Sequence, residues 1–146
     1  MRAVIQRVLS ASVRVDGEVV GAVGGEQVGP GLLVYLGVTH SDGPTDVAWM
    51  ARKIWDLRLL RGEQSASDVG APVLVVSQFT LCGDARKGRR PTWQAAAPGP
   101  VSEPVYDAVC AELERLGAHV ERGRFGADMR VESVNDGPTT LVLDSP

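Results

Sequence analysis

Histidine and cysteine are scarce in this chain, two of each among 146 residues, and that scarcity removes much familiar acid–base, thiol and metal chemistry. His40 sits in a turn with Ser41-Asp42-Gly43 and His119 opens an expected strand, so neither is well placed to serve a Ser-His-Asp triad. Cys82 and Cys110 lack metal-ligand spacing and read as small, mostly buried residues rather than as a disulfide or a nucleophile. Neither a metal nor a cofactor is expected. Also missing are a G-x-S-x-G elbow, an H-E-x-x-H helix, a Walker-type glycine loop and a G-x-G-x-x-G turn after a strand. No apolar run approaches the roughly 20 residues that span a bilayer. The opening Met1-Arg2-Ala3-Val4-Ile5-Gln6-Arg7 lacks the continuous apolar core of a signal peptide. The expectation is a cytoplasmic protein with no membrane partner. Internal repeats and low-complexity segments are absent as well.

What is present is the composition of an ordinary globule, 44% hydrophobic and 23% charged, of a length that suits a single domain over residues 1–146. Arg2 to Val15 alternates like a strand, and Asp16-Gly17 is a two-residue hairpin signal before Glu18 to Val23. Glycines mark residues 24–31 as loop, and Leu32 to Val38 is a continuous apolar run fit for a central strand covered on both faces. Pro44 suits the first turn of a helix in which Val47, Met50, Ala51, Ile54 and Leu57 recur at helical spacing. Arg61 to Pro72 reads as loop. Ser102 can cap a second helix, striped by Val105, Val109, Leu113 and Leu116 and ended by Gly117. Three short strands follow, around Ala118 to Arg122, Met129 to Val134 and Thr140 to Leu143. Many strands with two helices predict an α+β (mixed α/β) domain. Its antiparallel or mixed sheet is expected to be curved and partly barrel-like, with both helices packed outside.

Three segments stand out chemically. Val73-Leu74-Val75-Val76 suits a buried strand, and it runs into Ser77-Gln78-Phe79-Thr80-Leu81, which delivers hydroxyls and an amide around one aromatic. Thr80 is the nominal nucleophile there. Without an evident base its hydroxyl stays protonated and weakly nucleophilic, and both Ser77 and Thr80 can equally cap local backbone. Phe79 fits a core position as well as a site. The second segment, Arg86-Lys87-Gly88-Arg89-Arg90, sets four positive groups in five residues of a chain whose net charge is −3. It suits a solvated loop or a loop that contacts nucleic-acid phosphates. The third, Asn135-Asp136-Gly137-Pro138, reads as a tight Asp-Gly hairpin, or as a cis Gly-Pro peptide that turns successive carbonyl oxygens the same way.

Taken together, Ser77-Gln78-Phe79-Thr80-Leu81 and Asn135-Asp136-Gly137-Pro138 resemble the D-aminoacyl-tRNA deacylase family. The likeness extends to Val4-Ile5-Gln6-Arg7-Val8, Lys87-Gly88-Arg89-Arg90-Pro91 and Phe125-Gly126-Ala127-Asp128-Met129, and so covers nearly the whole chain. The resemblance implies hydrolysis of the ester joining a D-amino acid, or glycine, to tRNA, with L-aminoacyl groups spared. It also implies a homodimer with active sites at the subunit interface. In such a dimer Gly137 and Pro138 would act as a chiral gate in the partner's site, and Arg7, otherwise an outward strand charge, would support that gate. Catalysis would fall to the backbone N–H groups of Phe79 and Thr80 and to the tRNA itself. Ser77, Gln78 and Met129 would contact the substrate, and Arg86, Lys87, Arg89 and Arg90 would contact the tRNA.

The sequence also departs from the family pattern. Thr139 follows the Gly-Pro pair where valine or phenylalanine is usual, and Thr92-Trp93 stands where Ser-Phe is common. The loop over residues 23–30 looks long, and residues 61–68 lack the usual Gly-Lys-Met-Asn-like stretch. Two other classes stay open: a tRNA-binding dimer without catalysis, and a dimer in which the Gly-Pro turn is only an interface element.

Overall fold

The hairpin expected at Asp16-Gly17 forms because both residues adopt positive φ, 51° and 84°, the pair of conformations a two-residue turn between twisted strands requires. The computed structural model describes residues 1–26 and 29–146; Gln27 and Val28, inside the loop expected over 24–31, lie outside the described residues. The turn joins β1 (Arg2–Val15) to β2 (Glu18–Gly24). Then come β3 (Gly31–Gly37), α1 (Pro44–Asp56), α2 (Ala66–Val69), β4 (Val73–Ser77), α3 (Gly99–Arg115), β5 (Val120–Arg122) and β6 (Arg130–Asp144).

The six strands form one mixed sheet in the order β2-β1-β3-β4-β5, with β6 paired to β1. β1 is shared by three neighbours. Its first half pairs with β3 and its second half with β2, while β6 runs antiparallel along nearly all of its length. β3, β4 and β5 are parallel. The ends of the sheet curl together until Gly21 of β2 meets β5; a Cβ there would stand 2.4 Å from the Arg122 carbonyl oxygen. Only glycine permits that approach, and it brings the sheet close to a barrel. The expected curved α+β architecture is the one observed.

Both faces of the central strands are covered because alternate side chains feed two cores. Leu32, Val34 and Leu36 of β3, with Val73 and Val75 of β4, pack against Met50 and Ile54 of α1 and Val109 and Leu113 of α3. Leu33, Leu74 and Val76 face the barrel interior with Val8, Ala11 and Val13 of β1. A register shift between Val8 and Ser10 inserts an extra residue, so Val8 and then Ala11 and Val13 point the same way.

Four expectations change. Residues 61–72 hold a short helix, α2, capped by Ser65, whose hydroxyl accepts from the Asp68 N–H at 3.1 Å while the Asp68 carboxylate accepts from the Ser65 N–H at 2.8 Å. Helix α1 stops at Asp56, leaving Leu57 extended as its cap. α3 begins at Gly99, before the expected cap, because the Pro98 carbonyl accepts from both Val101 and Ser102. Ser102 is therefore inside the helix, its hydroxyl bonded back to Pro98 at 3.2 Å. Finally, the two segments around Asn135-Asp136-Gly137-Pro138 do not form a hairpin. Both pair with β1, Asn135 opposite Val8 and Thr140 opposite Gln6, so the intervening residues bulge out from one continuous strand. Among the described residues, no helix is long and apolar enough to cross a membrane.

Candidate active site

β4 ends where its neighbour does. The Gln78 N–H bonds the Leu36 carbonyl at 2.8 Å, and Gly37 leaves room for the crossing chain; a Cβ on Gly37 would lie 2.9 Å from the Gln78 carbonyl oxygen. Phe79–Cys82 then winds into a 3-10 turn rather than continuing the strand. A cleft of about 570 Å³ opens there, bordered by Ser77, Gln78 and Phe79 on one side. The first turns of α3 contribute Ser102 and Tyr106, and the segment Phe125 to Met129 completes the lining. Four residues singled out in the sequence, Ser77, Gln78, Phe79 and Met129, therefore meet at one place.

The cleft offers donors but little acid–base chemistry. A 3-10 turn leaves its first N–H groups without partners inside the turn. Leu81 N–H bonds Gln78 O at 3.2 Å and Gly83 N–H bonds Thr80 O at 3.1 Å, whereas no acceptor among the described residues meets the N–H of Phe79 or Thr80. Thr80 does not line the cleft, and its hydroxyl accepts from the Gln78 amide. Tyr106 is held neutral: burial pushes its hydroxyl far up, and it donates to the Val75 carbonyl at 2.9 Å. Burial also raises both thiols, Cys110 to about 11, so neither cysteine is a thiolate at neutral pH. His40 contacts the Gln94 carbonyl and His119 contacts Glu121; neither lines the cleft. Among the described residues no three His, Cys, Asp or Glu side chains gather as a metal site.

Phe79 is not a core residue. It is 55% exposed and meets Trp93 edge to face, with ring centroids 5.6 Å apart. Trp93 also lines the cleft, and it lies over Gly83, where a Cβ would stand 2.5 Å from the indole Cζ3. One residue earlier, Thr92 pairs backbone to backbone with Asp84, closing the basic loop at its base. Within that loop Arg86 is paired with Asp84 at 2.7 Å, which holds the Asp84 carboxyl at about 2. Lys87, Arg89 and Arg90 are exposed.

The bulge on β6 is a separate construction. The Gly137-Pro138 peptide is cis, and both residues are exposed. Neither lines the cleft. Arg7, far from being an outward charge, is buried at 7% exposure. Its guanidinium donates to the carbonyls of Asp136 at 3.0 Å, Gly137 at 3.3 Å and Leu59 at 3.3 Å. Asn135 ties down the two ends of the bulge by donating to Arg7 O at 2.9 Å and Thr139 O at 3.1 Å. Arg61 grips the Asp136 carboxylate from outside. The sequence reading missed Arg61, and no local signal marks it, because its partner lies 75 residues away. It also missed Asp128, Ser102 and Tyr106 in the cleft, though Asp128 sits inside the quoted Phe125–Met129 segment.

The chain is 66% identical over 145 residues to a D-aminoacyl-tRNA deacylase of Kineococcus radiotolerans, covering 99% of this chain and 100% of that protein. It is 64% identical over 144 residues to one of Thermobifida fusca, covering 99% of each. Among solved structures, it superposes with a TM-score of 0.91 and 37% identity on a c-Myc DNA Unwinding Element Binding Protein, over 100% and 99% of the two chains. A probable eukaryotic D-amino acid tRNA deacylase has the same fold, with a TM-score of 0.82 at 18% identity over 97% of each chain. The family model described as D-Tyr-tRNA(Tyr) deacylase matches residues 4–144, and the chain accordingly belongs to that family.

Proposed function

We propose that the protein hydrolyses the ester of D-aminoacyl-tRNA, and of mischarged glycyl-tRNA, releasing the amino acid and free tRNA in the cytoplasm while sparing L-aminoacyl-tRNA. What supports this most directly is the pair of unpartnered N–H groups at Phe79, which borders the cleft, and at the adjoining Thr80, beside a lining that holds no paired acid and base. An aminoacyl ester is already activated, so orientation and oxyanion stabilisation are the contributions it needs. Water adds to the ester carbonyl, and the resulting oxyanion is met by the Phe79 and Thr80 N–H groups. The bond to the ribose oxygen then breaks and that oxygen takes up a proton, with the neighbouring ribose hydroxyl organising the water. Ser77, Gln78 and Met129 hold the terminal aminoacyl-adenosine, and Arg86, Lys87, Arg89 and Arg90 meet the tRNA backbone.

Chirality is assigned to a second subunit. Gly137 and Pro138 protrude yet do not line their own cleft, which suits insertion into a partner's cleft as the gate, with Arg7 holding them. A homodimer formed along β6 is supported by the exposure of Leu9, Val134 and Val142, at 51%, 53% and 57%, and by a strand that, among the described residues, pairs on only one side.

Incubation with matched D- and L-tyrosyl-tRNA tests the reading. Deacylation of the D ester with the L ester spared is expected; equal loss of both, or of neither, would overturn it. A tRNA-binding dimer without catalysis would retain tRNA in the same assay and leave both esters intact.

A further inference from the structure

Asp136 is gripped from two sides. Its Oδ2 lies 3.0 Å from Nε of Arg7 and 3.0 Å from Nε of Arg61, and its Oδ1 accepts from Nη2 of Arg61 at 2.5 Å. The carboxylate is only 11% exposed, whereas the Arg61 side chain is 73% exposed, so the outer arginine reaches in from solvent to close the pair. Its hold is forked, and a two-point grip fixes the plane of a carboxylate as well as its position. Arg7 acts on the same stretch mainly through backbone carbonyls, those of Asp136 and Gly137. The two arginines thus share the Asp136 carboxylate, and Arg7 alone also restrains the backbone of Asp136 and Gly137.

Arg61 is itself fixed in place. It stands in a closed turn in which the Leu60 N–H bonds the Gln64 carbonyl at 2.9 Å, with Gly62 and Glu63 both at positive φ, 74° and 55°. Leu60 is buried at 6% exposure and anchors the turn to the core. The preceding Leu59 carbonyl accepts from Arg7, so one guanidinium links this turn to the bulge from inside while Arg61 links them from outside. These are the residues in which the chain departs from the pattern usual at 61–68.

We propose that Arg61 is a positioning residue for the Gly137-Pro138 gate, acting through the Asp136 carboxylate. The inference rests on the reading of Gly137-Pro138 as the chiral gate. Arg61 touches no reacting atom. It holds the bulge at the distance from the sheet that stereochemical rejection requires.

The test measures D- and L-tyrosyl-tRNA deacylation by Arg61→Ala, Asp136→Asn, their double variant, Arg61→Lys and Pro138→Ala, with thermal unfolding of each. Expected for Arg61→Ala is a fall of about tenfold or more in the ratio of D to L hydrolysis, with only a small fall in unfolding temperature at neutral pH. Asp136→Asn lowers the ratio at least as far, because it weakens the contacts of both Arg61 and Arg7 with the carboxylate, and the double variant falls no further than Asp136→Asn alone. Arg61→Lys, which keeps the charge but not the fork, restores only part of the ratio. An unchanged ratio in Arg61→Ala with a lowered ratio in Pro138→Ala overturns this inference and leaves the gate standing. Unchanged ratios in both overturn the gate itself. A weaker KM for both esters alike in Arg61→Ala, not shared by Asp136→Asn, assigns Arg61 to RNA contact and likewise overturns the inference.

Discussion

The side-chain amide of Gln78 donates to the hydroxyl of Thr80. That hydroxyl is occupied as an acceptor, and no histidine lines the cleft to take its proton. Thr80→Ala is therefore expected to slow D-ester hydrolysis by no more than about tenfold in single-turnover measurements. Loss of a triad nucleophile costs on the order of 10⁶ in kcat, so a fall approaching that size in a folded variant would restore Thr80 as the nucleophile.

Arg7 is buried and donates to three carbonyls from two segments. Truncating it strands those acceptors. Arg7→Ala should lose about 2–3 kcal/mol of stability, as expected for buried hydrogen bonds from a charged group. Arg7→Lys should recover little of it, since a single ammonium cannot serve three carbonyls through a planar fork. Urea midpoints at constant m-value check both; a loss under about 0.5 kcal/mol would show that the contacts are not stabilising.

Gly83 and Trp93 are coupled by space. Because a Cβ at residue 83 would stand 2.5 Å from the indole, Gly83→Ala must displace Trp93 and with it the edge contact to Phe79 at the cleft mouth. A rise in KM for D-tyrosyl-tRNA is expected, of roughly three- to tenfold given the ~0.5–1.5 kcal/mol of an aromatic pair. In a Trp93→Ala background the added methyl should change KM no further. Additive effects of the two substitutions would refute the coupling.

The Asp136 carboxyl is held below its ordinary value of 3.8, first by the hydrogen bonds from Arg61 and then by the charges of Arg61 and Arg7. A depressed folded value means that the stabilisation is complete above about 3.8 and is lost as pH falls through the lower folded value. Wild type and Arg61→Ala should therefore differ in urea midpoint at neutral pH and converge in acid below that value. The other depressed aspartates are common to both and cancel. Added salt should narrow the neutral-pH difference, since Arg61 is exposed; a difference that persists in acid would place its origin elsewhere.

Much of the fold was legible because its signals are local. Asp16-Gly17 prescribes its own turn, the apolar run from Leu32 announces a strand covered on both sides, and Pro44 with its helical spacing announces α1. Motif likeness singles out Ser77, Gln78, Phe79 and Met129, and all four line one cleft. The start of α3 was misjudged because Ser102 has the chemistry of a cap, while the real boundary depends on which residues accept the Pro98 bonds.

The sequence by itself determined the alternation that makes two cores and the turn chemistry. Tertiary structure alone decided what becomes of residues 135–139. Their composition suits a hairpin, and they bulge instead because β1 pairs with the chain on both sides of them. It also decided that Arg7 and Arg61 share one carboxylate, and that Trp93 needs a glycine beneath it. Such contacts join residues that are distant along the chain. Their strength depends on orientation and burial, which exist only once the sheet has curled and its strands have found register.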